Sequence, residues 1–591
     1  MIPCMISKTF SPLLKNPAHF TRGILAERTQ GNLDGLLRRI DVSVMQRTYA
    51  ETHDGWFAEP EFCGQYVDTA LAAYRTTGDE EFLARAGAVV ESMITHQRAD
   101  GYLGTYHPGL EFDSFSVWNQ QFSIMALLTY YEQTGEARAL ATAVRCADYL
   151  CAAFMAPNGP DLLDAVNWHI QHSCILIEIV HLYRVTGNKA YLEFANFMIK
   201  RWDDSAMALV TGPLRQPHHA IDAVGSPKAL EVLICFRGIL DLYHVTGETR
   251  YLTAVRNYWQ QVLDLQIGPT GTGSISEIWW WLGKAPLALT NDLHPNENCV
   301  AVGWMQTCAD LLACTGEARF ADEFEKTLYN HLLGAQALDG SDFSYYQGLE
   351  GRKVHKTPSS WYSCCRYRGM KMLAHLGEWA VLSSKEGPVI VLFASLLARV
   401  PVGEQQVEIR QETDYPRTGR VKISVRPDHT GTFTLRIRKP GFCPQVTLIV
   451  NGECQTDCHV KDGFFCLTRT WLAAGDTVEL ELAMPIHSWP ATVQDDRESV
   501  LNFYGPLVLA IDSRYGTPLG ATRVSWAGVP LTLTPQSLSE DKWTPIVCFT
   551  VPGTIAGISS PVTLVDYASA GSQNPEQDKF QVWVPIERAS R

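Results

Sequence analysis

The sequence lacks a basic start followed by a sustained apolar run. It opens MIPCMISKTFSPLLKNPAHF, and no secretory signal is read there. No stretch approaches 18 uninterrupted apolar residues, so no membrane-spanning helix is expected. Cysteine is sparse, 16 in 591 residues. That is far below the density of a disulfide-stapled scaffold, so reduced thiols and a cytoplasmic location are expected. Positive charge is short as well. Lys plus Arg number 49 against 63 Asp plus Glu, for a net charge of −14, which argues against nucleic acid or an anionic membrane as a partner. Apolar side chains are plentiful, with 46% hydrophobic and 19% charged residues, enough for several packed cores. The 16 Trp, 22 Tyr and 23 Phe suit clefts with flat apolar faces, as sugar sites have, and suit large cores equally.

One pattern recurs through the first two-thirds: an apolar helical stretch, Thr-Gly, often an acid, then a second helical stretch. It appears around Gly78, Gly135, Gly187, Gly247 and Gly316. Glycine just past a helix end adopts the left-handed conformation that closes it. The acid or Asn that follows can receive the free N–H groups of the next helix. Each copy therefore reads as a helical hairpin, and a sixth is expected to end near LAHLGEWAVLSS. Hairpins in series bury their faces on neighbours. Six closed into a ring give an (α/α)6 toroid with a cleft where the inner helices converge, and the alternative is an open superhelical solenoid. Beyond Gly387 come short β-branched and aromatic runs punctuated by Gly, Pro, Asn and Asp, the pattern of antiparallel β-sandwiches. The expected organisation is residues 1–385 as the helical barrel, 386–500 as a β-sandwich and 501–591 as a second β-rich module packing on the barrel.

Two segments carry candidate chemistry. HPNENCVAVGW places Glu297 and Cys299 two apart, and SSWYSCCRYRGMKML holds adjacent Cys364 and Cys365. One carboxylate with three thiolates suits a tetrahedral zinc ion. Adjacent cysteines rarely form an unstrained disulfide. No CxxC pair is present, so buried free thiols remain the alternative.

The chain resembles the zinc-dependent cysteine glycosidases of the β-L-arabinofuranosidase family, glycoside hydrolase family 127. The resemblance rests on DGYLGTY (100–106), ENC (297–299), SCCRYRG (363–369), TDYPRTGRVKISV (413–425), LRIRKPGF to VNGE, LTRTWLAAGDTVELELAMP and NFYGPLVLA. It implies an (α/α)6 barrel followed by β-sandwich modules, and a retaining hydrolase whose nucleophile is a cysteine. By motif that nucleophile is Cys364, with Glu297, Cys299 and Cys365 sharing Zn2+ with it. A carboxylic acid is then needed to protonate the leaving oxygen and later to activate water. The family places it in a Gly-Ser-rich segment before ENC, and Glu277 in GPTGTGSISEIWWW matches best. Its alternative role is an ordinary acid in the first turn of a helix.

Substrate-binding candidates are weaker. His172, in NWHIQHSCILIEIV, stands where the family has Gly-His before an apolar helix, with a capped or packed residue as the alternative. Tyr345 fits an aromatic position near the cysteine pair, there to orient the nucleophile, line the sugar subsite or pack in the core. The family's Gly-His-Ala-Val-Arg run maps onto Lys228 and Glu231 by counting back from Gly247, and His218-His219-Ala220 offers a competing alignment. Phe115 and Phe122 stand where the family often has histidines, and Gly-His gives way to GWFAEPEFCGQYVD. Altered hydroxyl-binding groups beside a retained metal set imply a changed glycone. Trp279 to Trp281 read either as a stacking wall or as a packed helix start. The other cysteines read as core or sandwich residues.

The expected activity is an exo-glycosidase releasing a terminal sugar, β-L-arabinofuranose or a related L-sugar, from oligosaccharides, with homodimerisation through the β-modules as one option. Alternatives are another carbohydrate enzyme on the same toroid, such as an epimerase or unsaturated-uronide hydrolase, or a non-catalytic protein with a structural zinc site.

Overall fold

The computed structural model describes residues 8–54, 58–279, 294–354, 363–456, 458–493, 497–515, 518–526, 534–535, 545–573 and 577–588. Every Thr-Gly of the repeat ends a helix: Glu59–Thr77, Ser116–Thr134, Leu176–Thr186, Ala229–Thr246 and Asn298–Thr315. The five glycines lie at φ values of 68 to 78°, and each returns its N–H to a carbonyl four residues back. Asp79, Glu136 and Asn188 then cap the second helices Glu80–His96, Ala137–Met155 and Lys189–Asp203 by accepting a backbone N–H two residues on. Glu248 and Glu317 take the same place before Thr249–Leu265 and Ala318–Thr327.

The two helices of a hairpin differ in what they bury. Glu59–Thr77 is buried continuously from Pro60 to Ala73, whereas Glu80–His96 buries a single stripe that includes Phe82, Ala86, Val89 and Met93. The first helices are therefore inner and the second outer. Each inner helix packs on the next, through Ser116–Thr134, Leu176–Thr186, Ala229–Thr246 and Asn298–Thr315 to Cys364–Ala374, which packs back on Glu59–Thr77. At that return contact Asp68 meets Lys371 at 2.5 Å and His375 at 3.3 Å, while Glu378 meets His375 at 2.9 Å and Arg75 at 2.8 Å. Gly64 lets the first two inner helices approach closely, because a Cβ there would sit 2.4 Å from the Phe122 carbonyl oxygen.

The sixth hairpin differs from the expectation. After Cys364–Ala374 the chain makes only the short helix Leu376–Ala380 before turning into strand Val381–Ser384. The helix packed outside Cys364–Ala374 comes instead from the N-terminal region, Ile24–Gly35, whose Asn32 side chain donates to the Met370 carbonyl at 2.9 Å. It carries no Thr-Gly signature, and nothing local in the sequence marks it as a partner for a segment some 340 residues away.

Three sheets follow. Six-stranded and seven-stranded sheets are built mainly from residues 381–482, and a ten-stranded sheet from 486–588. The long strands alternate as read: Gln405–Thr413 and Arg420–Pro427 bury every second side chain. The third sheet begins at Ile486, ahead of the expected boundary near 500, and it also takes in Glu350–Gly351. Ser11–Pro12 and His19–Arg22, placed with the barrel by the sequence, pair instead with strands of the first two sheets. Strands of two to four residues carry too little alternation to be read. Arg438, fully buried, ties the sheets to the helices, donating to Val391 O, Asp322 and Glu325 at 2.7, 2.6 and 2.5 Å. Among the described residues no helix is long and apolar enough to cross a membrane.

Candidate active site

Two helix starts converge. Glu297 is the N-cap of Asn298–Thr315, which puts Cys299 in that helix's first turn. Ser363 caps Cys364–Ala374 with its hydroxyl, so both vicinal cysteines occupy the first turn there. Asn298 pins the pair by donating to the Cys365 carbonyl at 2.9 Å, and its own N–H is taken by Tyr345 O. Cys299 Sγ and Cys365 Sγ are 3.1 Å apart, and Cys365 donates to Glu297 Oε1 at 3.6 Å. The ligand atoms of Glu297, Cys299, Cys364 and Cys365 all lie within 4.8 Å of one another. A tetrahedral ion with bonds of about 2.3 Å to sulfur requires ligand atoms about 3.8 Å apart, inside that bound.

The electrostatics of the cluster fit a cation. Burial raises the Cys299 and Cys365 thiols, and burial with Glu277 and Cys364 beside it raises the Glu297 carboxyl. The Cys364 thiol goes the other way. Hydrogen bonding with Cys299 and Cys365 holds it well below the ordinary thiol range against burial, helped by Tyr345 and the Arg368 charge. A helix N-terminus also favours a thiolate there. Three sulfurs and one carboxylate in one buried shell are a donor set that could hold a metal ion of zinc's preferences.

Of the three cysteines only Cys364 lines the adjoining cavity, of about 360 Å³. Glu277 faces the same space. Its turn is strained, with positive φ at Ser274, Ser276 and Glu277 (95, 48 and 69°), as recurs at functional sites. It lies outside any helix, contrary to the helix-turn alternative. Tyr345 and Tyr346 donate to Glu277 Oε1 at 2.9 and 2.7 Å, and Lys228 donates to Oε2 at 2.5 Å. The Tyr345 hydroxyl is also 3.5 Å from Cys364 Sγ, so one phenol touches both groups. Lys228 caps Ala229–Thr246 and lies 3.9 Å from Glu231. Glu231, Glu277 and Glu297 raise its pKa against the burial that alone would lower it.

Phe115, the N-cap of Ser116–Thr134, lines the cavity, whereas Phe122 within that helix lines a separate cavity together with Arg368. His172 is buried away from the cavity against Phe154, and burial lowers its pKa to about 4. His219 sits exposed on the turn Pro217–His219, 3.9 Å from Asp222, and does not line the cavity. Trp279 is core, 1% exposed, while Trp280 and Trp281 lie outside the described residues.

The sequence reading did not single out Glu61, Trp118 or Gln171 as site residues, and all three line the cavity. Glu61 accepts from Trp118 Nε1 at 2.7 Å, Gln65 at 2.8 Å and Arg368 at 3.4 Å, and burial pushes its carboxyl up to about 7. The usable signal for Glu61 was a carboxylate near the start of a helix otherwise buried on all sides. Gln171 offered none beyond its place next to His172.

A cavity with facing carboxylates and aromatic walls, beside helical hairpins joined to β-sheets, is a layout that suits a glycoside hydrolase. The chain belongs to the family of the β-L-arabinofuranosidase GH127 catalytic domain, whose model matches residues 26–378, with the GH127 middle domain matching 389–484. A non-reducing end β-L-arabinofuranosidase from Bifidobacterium longum subsp. longum is 24% identical over 501 residues, covering 75% of this chain and 74% of the relative. Among solved structures, a GH127 β-arabinofuranosidase superposes with a TM-score of 0.81 at 19% identity, over 98% of each chain. A GH127 β-L-arabinofuranosidase from Geobacillus stearothermophilus T6 gives 0.79 at 20% identity, over 96% of this chain and all of that one.

Proposed function

We propose that this glycoside hydrolase is a retaining, exo-acting enzyme that releases a terminal β-L-arabinofuranose or related L-sugar from oligosaccharides. Cys364 is its nucleophile and Glu277 its acid/base. The carrying observation is that Cys364 alone of the clustered cysteines reaches the cavity, opposite a carboxylate held by three donors. The helical half is read as an (α/α)6 toroid, supported by the cyclic order in which its inner helices pack.

The Cys364 thiolate attacks the anomeric carbon while Glu277 gives its proton to the departing glycosidic oxygen, leaving a thioglycosyl enzyme. Glu277 then takes a proton from water, the oxygen attacks the same carbon, and the Cys364 thiolate leaves with net retention. Zn2+ held by Glu297, Cys299, Cys364 and Cys365 would supply the positive charge that keeps the sulfurs anionic at neutral pH. Tyr345 fixes the spacing between nucleophile and acid/base. Phe115 and Lys228 on the cavity wall support a glycone whose hydroxyls are read differently from those of the family's histidine-lined pockets.

Metal analysis together with a panel of aryl glycosides tests the reading, comparing wild type with Cys364→Ser and Glu277→Gln. Bound zinc and turnover that both variants lose support it. Full turnover by Cys364→Ser would falsify the nucleophile assignment and turn attention to an epimerase or uronide hydrolase.

A further inference from the structure

Gln171 is 1% exposed, yet among the described residues neither atom of its side-chain amide has a hydrogen-bond partner, and the side chain lines the active-site cavity. Primary amides buried in proteins almost always satisfy these groups, because leaving a donor and an acceptor unpaired is costly. The backbone that presents Gln171 is firmly held. It opens the 3-10 turn Gln171–Ile175, where Ser173 accepts from Trp202 Nε1 at 2.9 Å and Cys174 donates to the Glu231 carbonyl at 3.6 Å. The amide is therefore positioned by its neighbours and unfilled by them.

The other walls of the cavity give the amide a context. Glu61 has three of its four lone-pair positions filled, by Gln65, Arg368 and Trp118. Glu231 stands in the first turn of the next inner helix and lines the cavity as well. A hydroxyl both donates and accepts, so a carboxylate that takes its proton and an amide that gives one suit it from two sides. Among the described residues, Glu61, Glu231, Glu277 and Glu297 face this space with Lys228. A carboxylate on an entering sugar would give up water there for Lys228, which Glu277 and Glu231 already engage, and a buried charge without a partner is costly.

We propose that Gln171 is a substrate-binding, specificity-determining residue. Its amide holds adjacent free hydroxyls of a neutral glycone, and the cavity rejects uronosyl groups. The proposal rests on the glycosidase reading given above, and it adds that the terminal sugar must arrive unsubstituted at those hydroxyls. A reaction that strips acyl or glycosyl branches from the terminal residue must come first where the natural chain carries them.

The test compares wild type, Gln171→Leu and Gln171→Glu on the best aryl glycoside of a neutral pentose or hexose panel, on its monodeoxy analogues, and on the matching uronoside, with Tm measured for each protein. Wild type is expected to lose about 100-fold or more in kcat/KM on at least one deoxy analogue. Gln171→Leu should lose a similar factor on the parent glycoside and no longer distinguish the deoxy analogue. Its Tm should be unchanged or higher, since an unsatisfied amide has been removed. Undiminished activity in Gln171→Leu, unchanged discrimination, or a fall in Tm with equal losses on parent and deoxy substrates would overturn the proposal, as would a wild-type preference for the uronoside. If wild type hydrolyses none of the panel, the glycosidase reading fails separately. Calorimetric titration of neutral monosaccharides then decides on Gln171: heat lost in Gln171→Leu supports it, and equal heat or none with wild type overturns it.

Discussion

Cys299 Sγ and Cys365 Sγ lie 3.1 Å apart although each begins a different inner helix. With Glu297 and Cys364 they join the fifth helix of the ring to the sixth, so an ion shared by the four would act as a cross-link as well as a source of charge. Exhaustive treatment with a strong zinc chelator is expected to lower Tm and abolish turnover together, and added Zn2+ to restore both. Saturation at about 1,000 times Kd corresponds to about 4 kcal/mol of stabilisation. Differential scanning calorimetry with and without chelator reads it, and an unchanged Tm contradicts the shared ion.

Glu277→Gln removes the proposed proton carrier and keeps the shape. A loss of about 10² to 10⁴ in kcat is expected on substrates with poor leaving groups, and a much smaller loss in the first step with an activated phenol that leaves without help. Exogenous azide should restore part of the rate by attacking the thioglycosyl enzyme without a base. Equal losses across leaving groups, with no rescue, would place Glu277 outside the acid/base role.

The contact that closes the ring should respond to pH. Glu378 and Asp68 raise the His375 pKa from its ordinary 6.5 to about 9, against the burial that would lower it. A pKa higher in the folded state stabilises fully below the unfolded value and fades as pH rises through the folded one. This contribution, about 3 kcal/mol at most, is therefore present below pH 6.5 and lost between there and about 9. A series of Tm values across that window should fall with pH, and His375→Gln should flatten the slope. A slope that the substitution leaves unaltered removes His375 from the account.

Gly64→Ala tests the close approach of the first two inner helices. Its Cβ would meet the Phe122 carbonyl oxygen at 2.4 Å, and overpacking of this kind costs about 1–3 kcal/mol. Glu61 stands one turn earlier on the same helix, so KM should rise along with the loss of Tm. A variant with wild-type Tm and KM shows that the helices separate without consequence.

The hairpins were legible because Gly78, Gly135, Gly187, Gly247 and Gly316 each do a local job, closing a helix with a left-handed residue. The outer partner of the sixth inner helix was not legible, because Ile24–Gly35 meets Cys364–Ala374 through long-range packing that leaves no periodic mark. In the site, Glu297, Cys299, Cys364 and Cys365 stood out through residue type and motif, and they converge because both motifs are helix starts. The glycone wall was harder to read. Sequence pointed to His172 and His219 because the family's Gly-His positions map onto the first and, by a competing alignment, onto the second. The cavity is instead lined by Gln171 and Glu61, ordinary polar residues whose meaning comes from being buried beside empty space.

The most direct measurement is peptide mapping by mass spectrometry after reaction with an epoxide mimic of the preferred glycone, with fragmentation that separates Cys364 from Cys365. The account predicts one adduct of glycone mass on Cys364, formed in step with loss of activity, prevented by excess free sugar and absent from Cys364→Ser. An adduct on Glu277 or Cys365 instead, or inactivation with Cys364 unmodified, would contradict it.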